Sequence, residues 1–309
     1  MKRLMLTLAA TTALATMALT TAASATTIGV SMAKFDDNFL TSVRNAMAAE
    51  GKAKGVSMQF EDANNDVGKQ LSEIQNFIAQ KVDAIIVNPV DTSATPKMTQ
   101  LAVAAKIPLV YVNRMPEDKT LPPNVVFVGS DEKVSGTLET EEIAKRLGGK
   151  GTVVLMEGEL SNNAAVQRTA DAEEVLKKYP GIKIAEKQTA NWSRNEAIDL
   201  MNNWLTSGGK IDGVVSNNDE MAIGAILALK QAGKDPTKYV IGGVDATADG
   251  LAEIKNGNLA VTVFQNSKGQ GSGAVDAAIA LTKGQHVESI VWVPFEKVTK
   301  DNMSQYMSN

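Results

Sequence analysis

The chain has 309 residues, with 31 Lys+Arg against 35 Asp+Glu, 44% hydrophobic and 21% charged residues, and no cysteine. This is the composition of a globular protein, and a net charge of −4 gives no basic stripe with which to replace the counterions of a nucleic acid. The lack of thiols excludes cysteine nucleophiles, haem attachment and iron–sulfur clusters, and a single histidine leaves little for a Ser-His triad.

Lys2 and Arg3 precede an apolar stretch over residues 4–19, and Ala23-Ser24-Ala25 fits the small-x-small cleavage rule. Residues 1–25 are therefore expected to be an export signal cleaved after Ala25, with the periplasm as destination. A membrane anchor fits less well, because the stretch is broken by threonines and falls short of the ~20 residues a span needs. An exported chain has no ATP or NAD supply, so no cofactor is expected.

From Thr26 onward, apolar runs of strand length alternate with segments of helical period. Residues 27–33, 57–62, 84–87, 109–112 and 125–128 read as strands. Phe39, Leu40, Val43 and Met47 mark the first helical face, Leu71, Ile74, Phe77 and Ile78 the second, and Met98, Leu101 and Ala105 the third. The pattern restarts with strands at 152–156, 183–186, 213–215, 240–244 and 260–264. Near-continuous apolar strands joined by helices mean parallel sheets covered on both faces. Ten strands in two sets of five predict an α/β protein of two doubly wound, flavodoxin-like domains; a closed (β/α)₈ barrel would want one set of about eight.

In open α/β sheets ligands bind beyond the carboxyl ends of the strands. There the sequence places Asp36-Asp37-Asn38-Phe39; Asp62 to Asp66; Asn88-Pro89 with Asp91; Asn113-Arg114; and Ser130-Asp131. The second set gives Glu157 with Asn162, Asn163 and Arg168; Asn191-Trp192; Asn217 to Glu220; Asp245; and Gln265. Carboxylates accept, Arg donates from a rigid fork, and Asn or Gln does both, which suits a small molecule rich in hydroxyls. Phe39 and Trp192 supply rings for the apolar faces of a sugar. Loops and helix caps use the same residue types, so Asp131, Asn195 and Asp219 fit capping as well as a cleft. Trp192, among Asn and Ser, reads as facing a cleft.

Motifs of catalysis are missing. There is no H-E-x-x-H, G-x-S-x-G or Walker loop, and His286 lies in a hydrophilic turn before the last strand. The run Gly269-Gln270-Gly271-Ser272-Gly273-Ala274 matches G-x-G-x-x-A but lacks the acidic ribose partner, and reads as a tight turn with small residues for close packing. Adjacent Asp36 and Asp37 do not flank a scissile bond.

Several motifs in order resemble the type I periplasmic sugar-binding proteins of the ribose-binding type. They are Ile28-Gly29-Val30 with Asp37-Asn38-Phe39-Leu40; Val87-Asn88-Pro89 with Asp91; Ile107-Pro108-Leu109-Val110 ending in Asn113-Arg114; and Val128-Gly129-Ser130-Asp131. Ala164-Ala165 with Arg168, Asn218-Asp219-Glu220-Met221-Ala222, Gly243-Val244-Asp245 and Gln265 follow. The related repressor type begins with a DNA-binding helix-turn-helix, where this chain has an export signal. The resemblance implies two lobes joined by a three-strand hinge near Ser130, Gln265 and Pro294. One lobe would take residues 26–130 plus 266–294, the other 131–265 plus 295–309.

The resemblance further implies ligand contacts from Asp37, Phe39, Asn113, Arg114, Arg168, Trp192, Asn218, Asp245 and Gln265. It also implies no catalysis and no metal, a monomer, a membrane permease of an ATP-driven importer as partner, and a chemoreceptor as a second one. Asp37 stands where the ribose type has Asn, Asn113 where it has Asp, Leu40 replaces an aromatic, and Trp192 puts an indole in place of a phenyl. Together with Tyr111 to Pro116 and Asn124 to Asp131, these departures are similar to the inositol branch and, within it, to binders of rhizopine (methyl-scyllo-inosamine), whose amine would suit Asp37. Ribose, galactose or another monosaccharide is the alternative ligand, and a secreted glycoside-acting enzyme the remote one.

Overall fold

The computed structural model describes residues 25–118 and 120–307, so the expected export signal, apart from Ala25, lies outside the described residues. The first half runs β1 (Thr27–Met32), α1 (Asn38–Lys54), β2 (Ser57–Asp62), α2 (Val67–Gln80), β3 (Ala84–Val87), α3 (Thr95–Ala105), β4 (Leu109–Val112) and β5 (Val125–Gly129). All of its strand pairs are parallel, in the order β2-β1-β3-β4-β5, and a later strand, β11 (Ile290–Trp292), joins the edge beside β5. The apolar runs that define β3, β4 and β5 are buried throughout, as strands covered on both faces must be.

The second half repeats the plan. It comprises α4 (Glu132–Arg146), β6 (Lys150–Glu157), α5 (Asn163–Lys177), β7 (Gly181–Thr189), α6 (Arg194–Thr206), β8 (Gly213–Ser216), α7 (Asp219–Gln231), β9 (Val240–Ile241), α8 (Ala248–Asn256) and β10 (Thr262–Gln265). Its sheet is ordered β7-β6-β8-β9, and parallel bridges Gly242 to Val261 and Asp245 to Phe264 extend it to β10. A last strand, β12 (Phe295–Val298), closes that edge antiparallel to β10. Between them, α9 (Ser267–Thr282) packs in the first half's core with Val43 and Met47. The chain thus passes between halves three times, after β5, after β10 and between β11 and β12. The expected two doubly wound domains and short hinge are present.

Departures from the expected elements have local causes. Strand β7 runs from 181 to 189 although its apolar run covers only 183–186, because it is an exposed edge strand that needs no unbroken apolar face. Strand β9 stops at Ile241, and a Cβ on Gly242 would meet Ile143 Cδ1 at 2.6 Å and Glu139 Oε1 at 2.7 Å, so α4 approaches too closely for a larger residue. The glycine-rich run at 269–273 is the start of α9 itself, not a turn; Gly271 brings that helix against the Val43 carbonyl of α1. Its small-residue packing role stands. His286 is exposed, as expected.

The helix pair that matters most for the site is α4 with α5. A Cβ on Gly136 would lie 2.3 Å from the Arg168 carbonyl oxygen. Backbone cannot yield as a flexible side chain would, so Gly136→Ala is expected to force the helices apart at a cost of about 1–3 kcal/mol, read by urea unfolding. Unchanged stability would mean that the helices can slide freely. No described helix is long and apolar enough to cross a membrane.

Candidate functional site

Both sheets have the order that reverses direction beside their first strand, and the loops leaving the strands at that point face each other. One cavity lies between them, lined by Asp37, Phe39, Leu40, Asn113, Arg114, Asn162, Ala164, Arg168, Trp192, Asn218, Asp245 and Gln265. All nine residues singled out from the sequence are on its wall. They come from seven separate segments of chain.

From the first half, Asp37 caps α1, one carboxylate oxygen accepting from Leu40 N at 2.8 Å. Asn113 ends β4 in a left-handed conformation with φ 68°. Its side chain is set by buried amides: Asn88 Nδ2 donates to Asn113 Oδ1 at 3.3 Å, and Asn113 Nδ2 donates to Gln270 Oε1 at 3.2 Å. Gln270 Nε2 donates in turn to Ser130 Oγ, where the chain first crosses between halves. Arg114 Nη1 donates to the carbonyls of Pro89 and Val90 at 2.9 and 3.2 Å, while Nε and Nη2 make no hydrogen bond among the described residues. Burial lowers its pKa, opposed by Glu159 and Asp37.

From the second half, Arg168 is the most heavily engaged. Its Nε and Nη2 donate to the two oxygens of Glu132 at 2.6 and 3.1 Å, Nη1 to the Asn217 carbonyl at 2.7 Å, and Nη2 to Gln265 Oε1 at 3.4 Å. The guanidinium lies 5.6 Å from the Trp192 ring and 5.8 Å from that of Phe295. Burial disfavours its charge, yet Glu132, with Asp245 and Glu139, outweighs this and the pKa rises. Arg168 is thus a fixture of the protein's interior as well as of the cavity.

Trp192 follows Asn191, and both are left-handed, with φ 62° and 50°. Two such residues in succession cost strain, and they turn the indole flat onto Gly158, where a Cβ would meet the ring at 2.1 Å. The ring is only 8% exposed, so it is buried while still lining the cavity. Among the described residues its Nε1 has no hydrogen-bond partner, and neither does Gln265 Nε2. Asp245 has φ 123°, held by Asp245 N donating to the Val263 carbonyl at 2.8 Å. Its buried carboxylate has no hydrogen bond among the described residues; burial raises its pKa, against the pull of Arg168.

Capping sorts itself out around these groups. Asp131 caps α4, as one reading allowed. Asn195 and Asp219 do not cap: Ser193 caps α6 and Asn218 caps α7. Asp219 is instead buried, accepting from Thr262 Oγ1 at 2.6 Å and from Thr247 N at 2.8 Å. Asn162, in the strand-end inventory but outside the nine, caps α5 and lines the cavity.

Groups behind the wall were not singled out. Glu132, Gln270 and Phe295 orient the lining residues and lie on helices or a strand whose sequence gives no such sign. Glu159 was missed too. It crosses from the second half, with Asn65 Nδ2 donating to it at 3.0 Å, and it forms ion pairs with Lys34 and Arg114 at 3.6 and 3.7 Å. Asn38 Nδ2 donates to Glu220 at 2.8 Å and Thr92 N to the Ser161 carbonyl at 3.1 Å, so the lips are joined on both sides of the cavity. No described group of three His, Cys, Asp or Glu could hold a metal ion.

The family described as periplasmic binding protein domain matches residues 28–286. A protein of Rhizobium meliloti whose name assigns it to rhizopine binding is 55% identical over 296 residues, covering 94% of this chain and 96% of that protein. A solute-binding protein of an ABC transporter from Bacillus halodurans, solved with bound myo-inositol, superposes with a TM-score of 0.88 at 40% identity, over 93% of this chain and 99% of that one. The Caulobacter myo-inositol binding protein, bound to myo-inositol, gives a TM-score of 0.87 at 28% identity over 93% and 98%.

Proposed function

We propose, from the premise that the chain belongs to the periplasmic binding protein family, that its cavity closes around a cyclic polyol of the inositol and rhizopine class. The chain is a periplasmic solute-binding protein that serves an ABC importer through a membrane permease, and it is not an enzyme. The observation that carries the ligand reading is chemical. Among the described residues Trp192 Nε1 and Gln265 Nε2 are buried donors without partners, and the Asp245 carboxyl has no side-chain hydrogen bond, all on the wall of one cavity shared by both halves. Buried polar groups seek partners, and a ring bearing several hydroxyls offers both donors and acceptors around its rim. Phe39 and Trp192 face the same space and supply apolar surface for its C–H faces.

Binding works by closure. A ligand that bonds to both halves favours the closed form by its differential affinity for that form. The crossings at Ser130, Gln265 and Pro294 are the proposed pivots, which assigns residues 26–130 plus 266–294 to one lobe and 131–265 plus 295–309 to the other. The lip bonds from Asn38, Asn65 and Thr92 join the two halves, so opening the cleft would break them, and the closed surface is what the permease reads.

A thermal-unfolding panel with myo-inositol, scyllo-inosamine, ribose, galactose and xylose tests this. At about 100 times its dissociation constant, a true ligand adds about 2.7 kcal/mol of stability. A shift with an inositol or its amine and none with ribose is expected. A shift with ribose alone would refute the polyol assignment.

A further inference from the structure

We propose that the cavity is built for a cyclic polyol bearing one ammonium group, seated against Asp245 with Asp37 beside it; this rests on reading the cavity as a polyol site. The reasoning is a charge count. Four charged side chains line the cavity, Asp37, Arg114, Arg168 and Asp245, and at first sight they balance. Both guanidinium groups, however, are already answered from behind. Glu132 on α4 clasps Arg168 through two bonds, and Glu159 faces Arg114 at 3.7 Å while also facing Lys34 at 3.6 Å. With those partners included, the three cations Lys34, Arg114 and Arg168 stand against four carboxylates, Asp37, Glu132, Glu159 and Asp245.

The uncompensated carboxylate is Asp245. Asp37 caps α1, Glu132 and Glu159 are paired with cations, but Asp245 has no hydrogen bond among the described residues. Every other group that bears on it offers no relief. Asp219 on α7, Asp37 before α1 and Glu132 on α4 all oppose its ionisation, and only Arg168 on α5, already spent on Glu132, favours it. Behind them Glu139 and Asp219 are buried acids pushed up to about 8 and about 7, so they supply no cation either. An unpaired buried carboxylate is costly and keeps its proton until a cation arrives.

The two ligand types then differ in their protons. A neutral polyol binds with the Asp245 proton retained. An ammonium ligand takes that proton's place: Asp245 O–H loses its proton to solvent and the carboxylate accepts a charge-assisted hydrogen bond from the ammonium. By linkage, affinity for the amine rises with pH through the Asp245 range while the amine stays protonated, and affinity for the neutral polyol stays level or falls.

The matched probes are scyllo-inosamine and scyllo-inositol, titrated calorimetrically into the mature chain across about pH 5.5 to 8 in two buffers of different ionisation enthalpy. The expected result is that the amine binds at least about tenfold tighter near neutrality, releases protons, and gains over the neutral probe as pH rises. Asp245→Asn should collapse that preference, and Asp37→Asn, which keeps a capping side chain, should reduce it. Equal binding of the two probes, or a preference that survives Asp245→Asn with no proton release in the wild type, overturns the ammonium seat and leaves the polyol reading standing. Binding of neither probe overturns both.

Discussion

Arg168→Ala is expected to abolish ligand binding and to cost the protein about 3–5 kcal/mol of stability, because it strands a buried carboxylate. The guanidinium holds both oxygens of Glu132, the Asn217 carbonyl and Gln265, and lies beside the Trp192 and Phe295 rings. After truncation, Glu132 keeps only the 3.2 Å bond from Ser135 Oγ and the field of its own helix start. The variant is therefore expected to lose both binding and stability. Urea unfolding beside calorimetric titration separates the two effects, and Arg168→Ala/Glu132→Ala sharpens the test. The double variant removes the stranded charge and should recover stability without recovering binding. An Arg168→Ala protein as stable as wild type would refute the buried pair, and one that binds normally would refute the cavity as the ligand site.

Raising the pH from about 5 to about 8 is expected to destabilise the protein, with Glu139 as one contributor that a single substitution isolates. Glu139 is fully enclosed, with Oε1 accepting from Ser216 N at 2.9 Å and Oε2 unpartnered. Burial pushes its carboxyl from an ordinary 4.5 up to about 8, opposed by the Ser216 N–H and by Arg168. The folded state therefore binds a proton that the unfolded chain releases. That contribution is fully present below about 4.5, declines as pH rises and is lost once the pH passes about 8. The loss runs at roughly 1.4 kcal/mol for each pH unit within that window. Asp219, pushed by its burial up to about 7, and Asp245 add slopes of the same sign. Glu139→Gln keeps the acceptor for Ser216 and cannot ionise, so its stability should fall less steeply over this range. Equal slopes in variant and wild type, measured by urea unfolding at each pH, would remove Glu139 from the account.

The site was legible to an unusual depth in its lining and hardly at all in its backing. Asp37, Arg114, Trp192 and Asp245 could be found because each follows a strand, and strand ends are marked by local apolar runs. Glu132, Gln270 and Phe295 could not. Glu132 looks like an ordinary acidic residue in a first helical turn, which is also a favourable place for one, and Phe295 belongs to a four-residue strand with no apolar run of its own. Glu159 sits in a short loop, and only closure of the two halves brings it to Lys34 and Arg114.

Taken alone, the sequence determined the two doubly wound halves and the strand-end residues from which the cavity wall is drawn, and the resemblance to the sugar-binding proteins narrowed these to nine. The halves and strand ends follow from apolar runs, which recur because a strand alternates its faces and a helix repeats every 3.6 residues. Tertiary structure alone decided which charges are spent and which are free. The bonds that settle it join residues 36 apart for Glu132 and Arg168, 94 for Asn65 and Glu159, 157 for Asn113 and Gln270, and 182 for Asn38 and Glu220. Local periodicity carries no trace of such pairings, because they depend on how the helices and the two halves pack, so only the folded chain shows that Asp245 is the carboxylate left without a partner.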